Sequence, residues 1–208
     1  MIARHRRLLP YGSSARLLEC ADLIETQAVH SWLVRQCRPE ISMIIPGART
    51  LLLQLHAPLP TDFIEKLITV RPSRPATDNG TSITVDVRYD GADLVALADR
   101  LDLEVERLIG YHTGQDWIVA FCGFAPGFGY LAPTRDPLVV PRHTSPRTRV
   151  PAGSVALADT WSAVYPTDSP GGWQLIGSTD LPLFDVSADP PATLQPGTRV
   201  RFRAIDRV

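Results

Sequence analysis

Arg142, His143, Arg147, Arg149, Tyr165, Ser169 and Trp173 fall close together in the chain and combine guanidinium groups, an imidazole, hydroxyls and a large apolar surface. That mixture suits an anionic or amide ligand. The arginines include a repeated pair, Pro141-Arg142 and Pro146-Arg147, followed by Arg149-Val150-Pro151-Ala152-Gly153-Ser154. Each proline fixes the approach of an arginine, whose planar fork holds a carboxylate or phosphate bidentately. Ser169-Pro170-Gly171-Gly172-Trp173 adds a hydroxyl, an amide nest and an apolar wall. Upstream, Gly127 and Gly129 lie between Phe124, Phe128 and Tyr130, which would set backbone N–H groups beside aromatic rings. Plainer roles compete with these. An arginine next to proline can simply bond loop carbonyls, Phe121 and Trp173 suit a core, and His143 suits a surface. His112 ends a helix, where the dipole favours an imidazolium cap.

Composition removes several chemistries. Only Lys66 among the 21 basic residues is a lysine, and Leu67 follows it, so neither a Gly-Lys-Ser/Thr phosphate loop nor a Schiff-base lysine is expected. Any phosphate must then meet arginine, backbone amides or a partner's site. The net charge of −1 gives no electrostatic case for nucleic acid. Cys20, Cys37 and Cys122 are odd in number and lack metal spacing, so we expect reduced thiols, no metal site and no disulfide framework. Leu8-Leu9-Pro10 is too short for the apolar core of a signal peptide, and no segment approaches the roughly 20 apolar residues that span a bilayer. We therefore expect a cytoplasmic protein with no membrane contact.

The elements that must position these residues fall into two groups. Residues 6–10 and 15–19 read as strands around a turn, and Asp22 with Glu25 marks the start of a helix running to about Gln36. Strands at 41–45 and 50–55 and a helix starting at Thr61 or Asp62 complete an α+β pattern. Residues 71–80 hold no large apolar side chain and read as a linker, so the chain divides into an α+β domain, 1–76, and a second domain, 77–208. In the second, 81–89 alternates as a strand, with helices at 91–100 and 103–111, the latter capped by Asp102. From Asp116 the periodicity is β, with strands at 117–121, 138–140, 154–157, 162–165, 173–176 and 198–204. Seven of the 14 glycines and eight of the 19 prolines lie between Phe121 and Thr179, the punctuation of a closed or nearly closed barrel with shaped loops.

Three stretches, GFAPGFGYL (123–131), PRHTSPRTRVPAGSV (141–155) and YPTDSPGGWQLIGST (165–179), closely resemble the KipI or allophanate hydrolase subunit 1 family, the B subunits of 5-oxoprolinase. PGARTLLL at 46–53 and PLFD at 182–185 extend the resemblance more weakly. The chain departs from the family pattern at Ala125, at Gly129 and at Asp90-Gly91. The resemblance implies a cyclophilin-like β-barrel after the α+β domain. It also implies partners, subunits C and A, and ATP used by the assembled complex with or without magnesium, to open 5-oxoproline to L-glutamate. In this chain Arg142, Arg147 and His112 are the catalytic candidates. Phe124, Gly127, Phe128, Tyr130, Tyr165, Ser169, Gly171, Gly172 and Trp173 are the substrate-binding ones. Two other activities go with the resemblance: inhibition of a sensor histidine kinase, and a carboxyltransferase-like role akin to urea carboxylase domains.

Overall fold

A computed structural model describes residues 6–73 and 80–205. The chain forms two compact units, 1–77 and 78–208. The proposed boundary at 76/77, and most of the linker around it, lie outside the described residues. Among the described residues no helix is long and apolar enough to cross a membrane.

In the first unit, β1 (Arg7–Tyr11), β2 (Ala15–Glu19), β3 (Ile41–Pro46) and β4 (Thr50–Leu55) form an antiparallel sheet in the order β1-β2-β4-β3. Helix α1 (Leu23–Gln36) starts as its sequence requires. The Asp22 carboxylate accepts the Glu25 N–H at 2.8 Å, and the Glu25 carboxylate accepts the N–H of Ala21. Leu18, Leu51 and Leu53 from the sheet meet Val29, Trp32 and Leu33 of α1 and Phe63 and Leu67 of α2 (Thr61–Thr69). Helix α2 starts at Thr61, as expected, and Pro60 is its cap residue, with no side-chain bond.

The second unit is a nearly closed mixed barrel. Its strands are β5 (Ser82–Val87), β6 (Trp117–Cys122), β7 (Gly129–Pro133), β9 (Ser154–Ala158), β10 (Trp161–Val164), β12 (Gln174–Ser178) and β13 (Arg199–Ala204). Their order is β12-β9-β10-β7-β6-β13-β5, antiparallel except for β13 beside β5. Past β5, Arg88 exchanges backbone bonds of 2.9 and 2.8 Å with Ser178 of β12, joining the two ends of the sheet. Outside it, β8 (Arg147–Val150) and β11 (Ser169–Gly171) make a two-stranded ribbon.

Around β9 the barrel sheet is buried on both faces, so that strand is wholly buried. Successive residues of a strand point to opposite faces. Val155 and Leu157 join one core with Val87, Leu97, Leu108, Trp117 and Leu131. Ala156 and Ala158 join another with Phe128, Tyr165 and Trp173. The small alanines leave room there for large rings.

Several expected elements differ. Helices α3 (Leu94–Arg100) and α4 (Val105–Thr113) start later than their periodicity suggests. Asp102 does not cap α4. It sits at φ +54°, a left-handed turn position that aspartate tolerates, and Glu104 is the cap residue. The strand expected at 138–140 shrinks to a single bridge, Val140 to Asp159, because Pro137 and Pro141 remove ladder donors on either side. Conversely β7, β8 and β11 form where glycine and proline suggest loops only.

Candidate functional site

A cavity of about 400 Å³ opens on the aromatic face of the barrel. Its floor is built round Phe128, whose ring meets Phe124, Tyr130, Tyr165 and Trp173 edge-to-face at centroid distances of 5.1, 5.1, 5.3 and 5.7 Å. Such contacts fix each ring in two directions and give a rigid apolar container. Trp161 and Ala158 complete the wall, and Arg142, Pro146, Asp159, Pro170, Gly171 and Gly172 form the remainder. Phe124 is held at φ +70° and is 60% exposed, a costly backbone position that presents the ring at the cavity instead of burying it. Gly171 is required by close approach: a Cβ there would overlap the Tyr165 hydroxyl.

The Pro-Arg loop is clamped from behind. His143 N–H donates to the Gly172 carbonyl at 2.8 Å, and Gln174 Nε2 donates to the Pro141 carbonyl at 2.8 Å. Beneath it lies Asp93, a nearly buried carboxylate. Oδ1 accepts from Arg147 Nη2 at 2.5 Å, while Oδ2 accepts the Leu175 N–H at 2.7 Å and faces His143 Nε2 at 3.2 Å. Burial would push the Asp93 carboxyl up, but the bonds from Arg147, Leu175 and His143 outweigh it and hold the group below the usual carboxylate range. Arg147 is thus turned to Asp93, and its Nη1 is buried with no partner among the described residues.

Arg142 is different. It lines the cavity, is exposed, and makes no hydrogen bond or ion pair among the described residues. Its charge lies close enough to both cavity phenols to oppose the upward push that burial gives Tyr130 and Tyr165.

Of the residues picked from sequence, Arg142, Phe124, Phe128, Tyr130, Tyr165, Gly171, Gly172 and Trp173 come together at the cavity. Arg147 packs behind it, Ser169 bonds the Thr167 carbonyl at 3.3 Å, and Gly127 turns the chain at φ +82° against Leu183 and Phe184. Arg149 pairs with Asp168 on the surface. His112 lies on the other side of the sheet. It is fully buried, with Nδ1 2.7 Å from the Tyr89 hydroxyl and Nε2 2.8 Å from Ser162 Oγ, and its ring stacks on Phe202 at 4.0 Å. Ser162 points to His112 while its neighbours Trp161 and Ala163 join the aromatic core, so β10 stands between His112 and the cavity. Burial pushes the His112 imidazole down to about 3, which replaces the imidazolium cap with a neutral hydrogen-bonding ring. Sequence reasoning missed Asp93, Asp159 and Trp161. Asp93 has no local signal, being 54 residues from its arginine partner, whereas Asp159-Thr160 between two apolar runs is the kind of short polar break that marks a hairpin. Among the described residues no group of three or more His, Cys, Asp or Glu could hold a metal ion.

Residues 6–194 match the family model described as the carboxyltransferase domain, subdomain C and D. A relative from Escherichia coli O157:H7, named as the B subunit of 5-oxoprolinase, is 39% identical over 170 residues, which cover 79% of this chain and 78% of the relative. The chain belongs to the family of 5-oxoprolinase B subunits. The crystal structure of TTHA0988 superposes with a TM-score of 0.75 at 31% identity over 93% of this chain, which spans only 40% of that longer one. The urea amidolyase of K. lactis, at 16% identity, shares the fold with a TM-score of 0.76 over 96% of this chain and 15% of its own. Within the family sequence, the three motif stretches become the cavity floor, the clamped arginine loop and the Gly171-Gly172 rim.

Proposed function

We propose that this chain is the B subunit of an ATP-dependent 5-oxoprolinase, working with subunits C and A to convert 5-oxo-L-proline to L-glutamate, and that the cavity binds the 5-oxoproline ring. The observation that carries this is Arg142, a guanidinium unpaired among the described residues, at the edge of an aromatic container with room for a small ring. The ring would lie against Phe128, Tyr130 and Trp173 with its carboxylate on Arg142, a charge-assisted contact. Family membership supplies the substrate class. On the same reading the barrel is cyclophilin-like, the domains are 1–76 and 77–208, and the protein works in the cytoplasm.

ATP does not fit this cavity as its sole site. Among the described residues a single unpaired cation lines it, too little to offset a triphosphate. The nucleotide is therefore assigned to surfaces supplied by the assembled complex. Arg147 acts by positioning: with His143 it ties the arginine loop to Asp93 and so fixes where Arg142 stands.

Glutamate release from 5-oxoproline by the A, B and C subunits together, omitting each in turn, tests the assignment. Activity that persists without this chain would remove it from the reaction. The site is tested by calorimetry with 5-oxo-L-proline, whose binding should weaken about 10- to 100-fold in Arg142→Ala, the range for a hydrogen bond to a charged group.

A further inference from the structure

We propose that Asp159 selects a lactam at this cavity, its carboxylate accepting the ring N–H of a ligand whose own carboxylate sits on Arg142. The inference rests on the substrate reading above and supplies its second polar contact. Asp159 lines the same cavity as Arg142, is exposed, and its carboxylate makes no hydrogen bond or ion pair among the described residues. Elsewhere in this unit arginine and aspartate find one another: Arg88 with Asp180, Arg147 with Asp93, Arg149 with Asp168, Arg201 with Asp116 and Arg203 with Asp86. Arg142 and Asp159 share one cavity and remain apart.

The backbone that carries each of them is anchored. Asp159 exchanges two bonds with Val140, at 2.7 and 2.6 Å, and Val140 is followed by Pro141 and then Arg142. Proline fixes its own φ, and the Gln174 and His143 bonds hold the chain on either side of Arg142. Asp159 itself occupies a two-residue hairpin loop at φ +51°, between paired Ala158 and Trp161. A cation and a carboxylate carried on anchored backbone, beside a wall of aromatic rings, call for a compact ligand with an anionic group and an N–H donor on the same ring. 5-Oxoproline carries both on adjacent atoms. A lactone of the same shape presents an oxygen lone pair where the lactam presents its N–H, and a carboxylate, which only accepts, repels it.

The test compares 5-oxo-L-proline with its lactone isostere, 5-oxotetrahydrofuran-2-carboxylate, by calorimetry on the full chain. Wild type should prefer the lactam by about 10- to 100-fold, since a site built to accept an N–H rejects the analogue lacking it. Asp159→Asn offers an amide that can donate to the lactone oxygen, and asparagine tolerates a left-handed backbone. The preference should fall to about threefold or less, a loss of roughly 0.7 kcal/mol or more of discrimination. Asp159→Gly suits the positive φ and deletes the carboxylate, and should lose the preference in the same way. A preference kept within twofold of wild type in both variants, with the lactam still bound through Arg142, would overturn the role of Asp159 alone. A wild type that binds neither compound, or that binds the lactam equally well after Arg142→Ala, would bring down the substrate reading and this inference with it.

Discussion

Arg142 and Arg147 look equivalent in sequence, each preceded by proline, yet among the described residues one has no hydrogen bond or ion pair and the other is tied to a nearly buried carboxylate. Their substitutions should therefore separate. Arg142→Ala removes no hydrogen bond or ion pair among the described residues and should leave the melting temperature within about 2 °C of wild type while binding falls, as is usual for a surface change. Arg147→Ala strips Asp93 of its closest partner. With the arginine about one-third exposed, the cost should be roughly 1–3 kcal/mol, below that of breaking a fully buried pair, and visible as a lowered melting temperature. Proton linkage gives a further check. The Asp93 carboxyl is depressed in the folded state, so its contribution is present above its unfolded value and is lost as pH falls through the folded one. The stability gap between wild type and Asp93→Asn should thus shrink below about pH 4, the ordinary carboxylate value. His112 acts in a different window. Its imidazole is lowered to about 3, so the unfolded state takes up the proton first and stability declines as pH drops from the ordinary histidine value, about 6.5, toward 3. A slope on the order of 1 kcal/mol per pH unit should flatten in His112→Gln, as read by chemical denaturation between pH 7 and pH 5.

At the scale of elements, close backbone approach matters more than chain flexibility. Gly91 packs against Leu175–Gly177, where any Cβ would overlap backbone atoms beside the bridge that closes the barrel. Gly91→Ala should cost about 1–3 kcal/mol by overpacking, and hydrogen exchange should accelerate at Arg88 and Ser178 before the rest of the sheet. What could be read from sequence follows the same division. Period-two runs such as Ile83, Val85 and Val87 announce a strand because one face is less buried. β7, β8 and β11 pair through residues that sequence assigns to turns, since glycine and proline report backbone freedom without saying whether another strand lies alongside. The cavity walls were legible because Phe124, Tyr130, Tyr165 and Trp173 sit inside glycine- and proline-shaped segments. Asp93 and His112 were not, because their roles depend on partners brought from 54 and 50 residues away.

For the molecule as a whole, the three main motif stretches, 123–131, 141–155 and 165–179, all lie in the second unit, and the barrel gathers most of their candidate residues onto one face of its sheet. The order of strands in that sheet has a different consequence. β13, the last strand in sequence, inserts between β6 and β5, and the far edge of β5 is met only by Ser178 among the described residues. On the ribosome, the first strand of the unit must therefore wait for partners made roughly a hundred residues later, with Val85 and Val87 unshielded by any neighbouring strand. Pairings so distant in sequence are slow to form. Ribosome-stalled chains that have not yet released Arg199–Ala204 should be cut readily by protease throughout the barrel, and chains with β13 clear of the exit tunnel should resist. During synthesis, this fold is committed only at its final strand.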